Sequence, residues 1–244
     1  MDESLYRTDF AQKNLPPSLN HLFGTDWMGR DMFFRTIKGL STSMVIGTIA
    51  SITSSFMAII IGAACALKGK YLEGIFNWFV DLFMGVPHLI LLILISVILG
   101  KGLKGVMIGV IVTHWCSLAR IVRAEVLSLK TNFYVQVSRK LGKSSWFIVR
   151  KHILPHVVPS FIVGIILLFP HAIMHEASIT FLGFGIPPEL PAIGVILSES
   201  MRYITCGMWW LSVLPGATLL LILLLFESIG QNLKTLVDPF KAQE

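Results

Sequence analysis

Charge is scarce in this chain of 244 residues: Asp, Glu, Lys and Arg make up 14% of it, against 54% hydrophobic residues and a mean hydropathy of +0.74. Soluble domains carry about a quarter charged residues, so the shortage excludes an ordinary soluble fold and points to an integral membrane protein. Cysteine is equally sparse. Cys65, Cys116 and Cys206 show no paired spacing, which speaks against a disulfide framework and against a cysteine-based metal site. No Gly-x-x-x-x-Gly-Lys-Ser/Thr loop occurs, so the chain is not itself an ATPase of the P-loop kind. The His-Glu-x-x-His pattern of a metalloprotease fails because Ala177-Ser178-Ile179 follows His175-Glu176; the inverted pattern fails because Met174 stands where Glu is needed. Internal repeats, low-complexity stretches, linkers and a cleavable-signal pattern are all missing.

What is present is a series of long apolar runs. Residues 42–67 are 26 in number and carry no charge, and about 20 apolar residues span a bilayer core. Their many Gly, Ala and Ser residues suit close helix packing. Lys68-Gly69-Lys70 is expected to mark a cytoplasmic end. A second span is expected over 78–99, with Asp81 near its start and Gly85, Pro87 and His88 interrupting it. A proline at that depth frees a carbonyl, so the kink should face protein or a cavity and not lipid. Residues 106–119 form a third span whose helix should run on to Leu127, 156–184 a fourth, and 207–226 a fifth, with a turn-rich outer segment at 185–205 and an inner tail closed by Asp238-Pro239. The expected fold is therefore an all-α, polytopic helical bundle of about five spans. A polar N-terminal segment (1–41) with a short amphipathic helix over 32–39 precedes one transmembrane domain (42–244).

The net charge of +6 concentrates in residues 120–155, which hold eight Lys/Arg (120, 123, 130, 139, 140, 143, 150, 151) and one acid, Glu125. Basic loops lie on the cytoplasmic side of a membrane protein, so this charge reports topology and not nucleic acid. The pattern is helix, glycine, helix. Residues 128–141 form one polar-amphipathic run, Gly142 can adopt the positive φ that closes a helix, Ser144 or Ser145 can cap the next helix, and Pro155 limits it. Such a helix-turn-helix knob is a grip for a cytoplasmic partner; a generic basic loop that binds anionic lipid is the alternative. With this loop inside, five spans put the N-terminus outside.

Three stretches resemble the permeases of ABC importers. Gln136-Val137-Ser138, Gly142 and His152-Ile153-Leu154-Pro155 are similar to the loop with which those permeases dock on their ATPases, except that Gln136 replaces an acid. Phe23-Gly24-Thr25-Asp26-Trp27-Met28-Gly29-Arg30-Asp31 resembles the signature of the dipeptide, oligopeptide and nickel branch. The string Ser178-Ile179-Thr180-Phe181-Leu182-Gly183-Phe184-Gly185 resembles that branch too, although Pro191-Ala192-Ile193-Gly194 lacks the tryptophan that usually follows. The resemblance, from Leu22 to Phe240, implies a multi-pass permease in the cytoplasmic membrane of a prokaryote. It implies a homologous second permease, two ABC ATPase subunits that use the ATP, and an extracytoplasmic substrate-binding protein, with no cofactor bound by this chain, no covalent chemistry and no nucleic acid. Gln136, Val137, Ser138, Arg139 and Gly142 would couple to the ATPases. Relatives usually have a sixth span at the N-terminus, so a chain that starts late is expected over one that inserts its polar tail unaided.

The cargo is read from histidines. His171 and His175 are four apart, share a helix face and can chelate a metal transiently; imidazole suits Ni²⁺, Cu²⁺ and Zn²⁺. His114, His171, His175 and Glu176 are the candidate pathway residues, because ionisable groups inside a membrane face a pathway or a partner. Bonds between helices that hold a dimer together are the plainer explanation of the histidines, and Glu176 could pair with Arg202 or with the second permease. A histidine at 114 beside Trp115, with the His171-to-Glu176 string, resembles the permeases of nickel importers more than those of peptide importers. Import of nickel or a metal chelate is thus the expected function, import of short peptides the alternative. An ion-coupled carrier relaying protons through Asp81, His114, His171, His175 and Glu176 is a third reading, but its class does not need the docking loop.

Overall fold

The computed structural model describes residues 7–68 and 70–237, and these form an all-helical bundle. The expectations for Gly69 and for the Asp238-Pro239 tail lie outside the described residues. Among the described residues four helices are long and apolar enough to cross a membrane, and a fifth crossing is available if the bent pair 71–98 counts as one span.

Helix α1 runs unbroken from Met32–Lys68. The short amphipathic helix expected over 32–39 and the apolar run from 42 are therefore one element, and no break falls at residue 41. The reason is local: Asp31 Oδ1 accepts from the backbone N–H groups of Phe33 and Phe34, so the helix starts there, and no Gly-Pro pair interrupts the run up to Lys68. At about 1.5 Å per residue α1 is about 55 Å long, well beyond a bilayer core of about 30 Å. It packs along α4 (Gly102–Thr131) and α7 (Leu154–Phe181). Gly62 permits this closeness, since a Cβ there would stand 2.6 Å from the Ala119 carbonyl oxygen.

The second span is not the kinked helix that its sequence suggests. Helix α2 (Lys70–Gly85) and α3 (His88–Ile98) are separate and meet at 97°. Gly85, Val86 and Pro87 account for the break: Pro87 cannot donate to the preceding turn and fixes its own φ at −52°. Ion pairs of Asp81 with Arg120 and Glu73 with Arg123 hold α2 against α4.

Two more expectations change in the basic loop. Its first helix is divided at Asn132, whose extended backbone separates α4 from α5 (Phe133–Lys140). Pro155 does not end the second helix. Helix α6 (Ser145–Ile148) passes through one π turn, Val149–Ile153, directly into α7, so 145–181 is continuous. The π turn lies immediately before Pro155, and its wider ring absorbs the hydrogen bond that the proline cannot make. Beyond α7, the segment expected to be turn-rich contains helix α8 (Ile193–Ile204), which buries Ile193, Ile196 and Ser200 on one face. Helix α9 (Trp210–Val237) comes next and is the most exposed of the long helices, with Leu220, Leu221, Leu224 and Leu225 on its surface.

Candidate functional site

The bend at Pro87 opens a cavity of about 490 Å³ between the α2–α3 break, α4 and α7. Three histidines from three elements converge on it. His88 opens α3, His114 lies midway along α4, and His175 lies in the second half of α7. Their ring centroids are 4.5 Å (88–175), 4.8 Å (88–114) and 5.1 Å (114–175) apart. One nitrogen from each lies within 4.8 Å of the other two.

The hydrogen bonds fix how these rings present themselves. His114 is buried, and its Nδ1 stands 2.9 Å from the Val110 carbonyl oxygen. A carbonyl only accepts, so Nδ1 carries the proton and Nε2 holds a free lone pair. His88 Nε2 and His175 Nδ1 are buried and have no hydrogen-bond partner among the described residues. Buried polar atoms are nearly always paired; of the nine unpaired side-chain atoms among the described residues, these two are ring nitrogens on the wall of one cavity.

Of the pair expected from helical spacing, His175 is in this cluster and His171 is not. His171 lines the same cavity but is exposed and stands outside the cluster; its place is taken by His88 and His114. Glu176 is not on the cavity wall at all. One residue on from His175, it is turned about 100° around the helix. It is fully buried and accepts from Thr180 Oγ1 at 2.9 Å. A carboxylate without accessible surface cannot reach Arg202, which is exposed, or a neighbouring subunit. The five-group proton relay does not form either, since Asp81 pairs with Arg120 and Glu176 faces away from the cavity. His88 is the ligand candidate that spacing along a helix misses. The signal available for it is a histidine directly after a helix-breaking proline in an apolar run.

The basic loop is a second candidate site. Gly142 has φ +76°, which closes α5 and turns the chain, and Ser144 caps α6 by accepting from the Phe147 N–H at 3.2 Å. Val135 and Ile148 point inward, and Ser138 Oγ meets His152 Nε2 at 3.0 Å, bracing the two arms. Outward stand Phe133, Leu141 and Trp146, each more than 70% exposed, among the exposed cations Arg139, Lys140, Lys143, Arg150 and Lys151. Of the residues expected to couple, Gln136, Val137 and Arg139 are on this surface, Ser138 is an internal brace and Gly142 is the elbow. Gln136 Nε2 donates to the Thr131 carbonyl at 2.9 Å, so its amide secures the end of α4.

The Phe23–Asp31 stretch builds a clamp on α8. Asp26, fully buried, accepts from Arg30 Nε (2.7 Å) and Arg35 (3.2 Å), and Arg35 reaches Glu199 of α8 at 2.5 Å. Trp27 stacks on Tyr203 with centroids 4.9 Å apart. Asp31 meets His21 Nδ1 at 2.7 Å. The sequence marks this stretch but not Glu199 or Tyr203, because the helix that carries them lies behind three prolines.

Comparison with known proteins gives a consistent result. Residues 54–240 match the family described as "Binding-protein-dependent transport system inner membrane component". The chain is 34% identical over 236 residues to the dipeptide transport system permease protein DppC of Bacillus subtilis, a match that covers 97% of this chain and 74% of that protein. It is 35% identical over 238 residues to the oligopeptide transport system permease protein OppC of the same organism, covering 96% and 78%. Among solved structures, the inward-facing MetNI methionine ABC transporter is similar in fold, with a TM-score of 0.67 at 19% identity, over 84% of this chain and 97% of that one.

Proposed function

This chain belongs to the family of binding-protein-dependent transport system inner membrane components and is a permease of an ABC importer, and on that premise we propose that it carries short peptides across the cytoplasmic membrane. The likeness to dipeptide and oligopeptide permeases, which runs along 96–97% of the chain, carries this reading. It reverses the order in which the histidines alone rank nickel and peptides.

The work is divided between the two sites. ATP is bound and hydrolysed by partner ATPases, which grip the knob through Val137, Leu141, Trp146 and the cations around them. Gln136 and Ser138 keep that knob rigid, by securing the end of α4 and by bracing α5 to the chain entering α7. Because residues 145–181 are one continuous helical rod, a displacement of α6 is transmitted along α7 to His175 and the cavity. A homologous second permease covers the exposed faces left by this chain, α9 among them, and an external binding protein delivers the peptide. Deletion of the gene in a host without other peptide permeases, followed by uptake of a labelled dipeptide with and without the restored importer, tests the reading. Restoration of uptake supports it; uptake that is equal with and without the chain sinks it.

A second reading, import of nickel or a metal chelate, draws on the histidine cluster alone.

A further inference from the structure

We propose that His88, His114 and His175 form a three-imidazole site for a divalent transition-metal ion on the wall of the transport cavity. The proposal goes beyond peptide import and does not depend on it.

Four observations bear on it. First, the three rings come from α3, α4 and α7, elements far apart in the sequence, and meet within 4.8 Å at a cavity large enough for a small ligand. Second, the hydrogen bond from His114 Nδ1 to the Val110 carbonyl is the arrangement that ligating histidines use to fix the tautomer and to aim the other nitrogen at a metal. Third, His88 Nε2 and His175 Nδ1 are left without partners among the described residues. Imidazoles that served only as packing between membrane helices would be expected to bond those nitrogens to neighbouring chains. Fourth, imidazole is a donor of borderline softness, which selects Ni²⁺, Co²⁺, Cu²⁺ and Zn²⁺ over Ca²⁺ and Mg²⁺.

The geometry also says how such an ion would be held. Metal–nitrogen bonds of about 2.0–2.1 Å place ligating nitrogens about 3.0–3.4 Å from one another. The donors here extend to 4.8 Å, so the rings must draw in. His114 is buried and tethered to Val110, whereas His88 and His175 are half-buried and each has a ring nitrogen that no hydrogen bond holds. The site is therefore one anchored ligand and two closing ones. Among the described residues the cavity wall carries no carboxylate, so the ion keeps its full charge there, which favours release over permanent retention. Three protein ligands leave coordination positions open. The amine and carboxylate of an amino acid or short peptide can fill them, so one cavity can accommodate a metal–peptide complex.

The test is direct metal binding by the importer assembled with its partner subunits in lipid nanodiscs, with Ni²⁺ measured by equilibrium dialysis and Co²⁺ by its visible absorption. Wild type should bind one ion at this cavity per copy of this chain. His88→Ala and His175→Ala should each weaken that binding at least about tenfold, whereas His171→Ala should leave it nearly unchanged. Because His114 is buried, His114→Gln replaces it in a triple variant, and co-elution with the ATPase subunits shows that each variant assembles. Two results would overturn the site: binding by the triple variant equal to wild type, or loss on His171→Ala with none on His88→Ala, which would return the metal to the pair on α7. Failure of dipeptide uptake would count against the peptide reading and leave this titration untouched.

Discussion

The clamp around Asp26 and the cavity around His88 are both built from ionisable side chains in an apolar protein, yet they are opposites. In the clamp each carboxylate meets a cation or a ring nitrogen: Asp26 takes Arg30 and Arg35, Glu199 takes Arg35, Asp31 takes His21. In the cavity two of the three rings leave a buried nitrogen with nothing to bond. A buried charge is tolerable only when paired; the carboxylates of the clamp are paired, with Arg30 Nη2 3.7 Å from Glu199 and without a hydrogen bond, and the clamp fastens the N-terminal segment to α8. The cavity instead gathers two unpaired ring nitrogens on one wall, and the proposed metal site rests on that gathering.

The two regions should respond differently to substitution. Asp26→Ala removes the fully buried carboxylate shared by two guanidinium groups, one of them only 3% exposed, and leaves Glu199 alone to meet both. It should cost about 3–5 kcal/mol, read as a collapse of the thermal midpoint or as loss of the assembled importer from the membrane. Gly142→Val forces a branched side chain into the left-handed region at φ +76° and should cost about 1–2 kcal/mol. Its damage should be confined to the knob: ATPase activity should no longer respond to the delivered peptide, while metal binding at the cavity persists. Ser144→Ala removes the cap on the Phe147 N–H and should cost about 1 kcal/mol, visible as faster hydrogen exchange in α6. His88→Ala should change stability by less than about 1 kcal/mol, since the lost Nε2 bonds nothing, and yet abolish most metal binding. If His88→Ala proves as destabilising as Asp26→Ala, the two clusters are alike and the cavity histidines are structural.

Much of the fold is legible in the sequence. Apolar runs announce the long helices, and Gly142 with Ser144 announces the elbow, because φ sign and capping are local properties. The strained and compensated places are not legible. Pro155 reads as a stop, yet one π turn carries the helix past it. Pro187, Pro188 and Pro191 hide α8, although Ile193, Ile196 and Ser200 already share a helical face. The candidate metal site escapes the sequence for a different reason. Spacing within one helix can propose His171 with His175, but only the fold can bring His88 and His114 to His175 and turn Glu176 into the core.

The most direct test of transport is reconstitution of the assembled importer, with its binding protein, into liposomes supplied with ATP on the knob side. Labelled dipeptide and radioactive nickel are offered on the other side in separate and combined assays. ATP-dependent entry of the dipeptide is the predicted result. Entry of nickel with no entry of the dipeptide would contradict peptide import and restore the metal as the sole cargo.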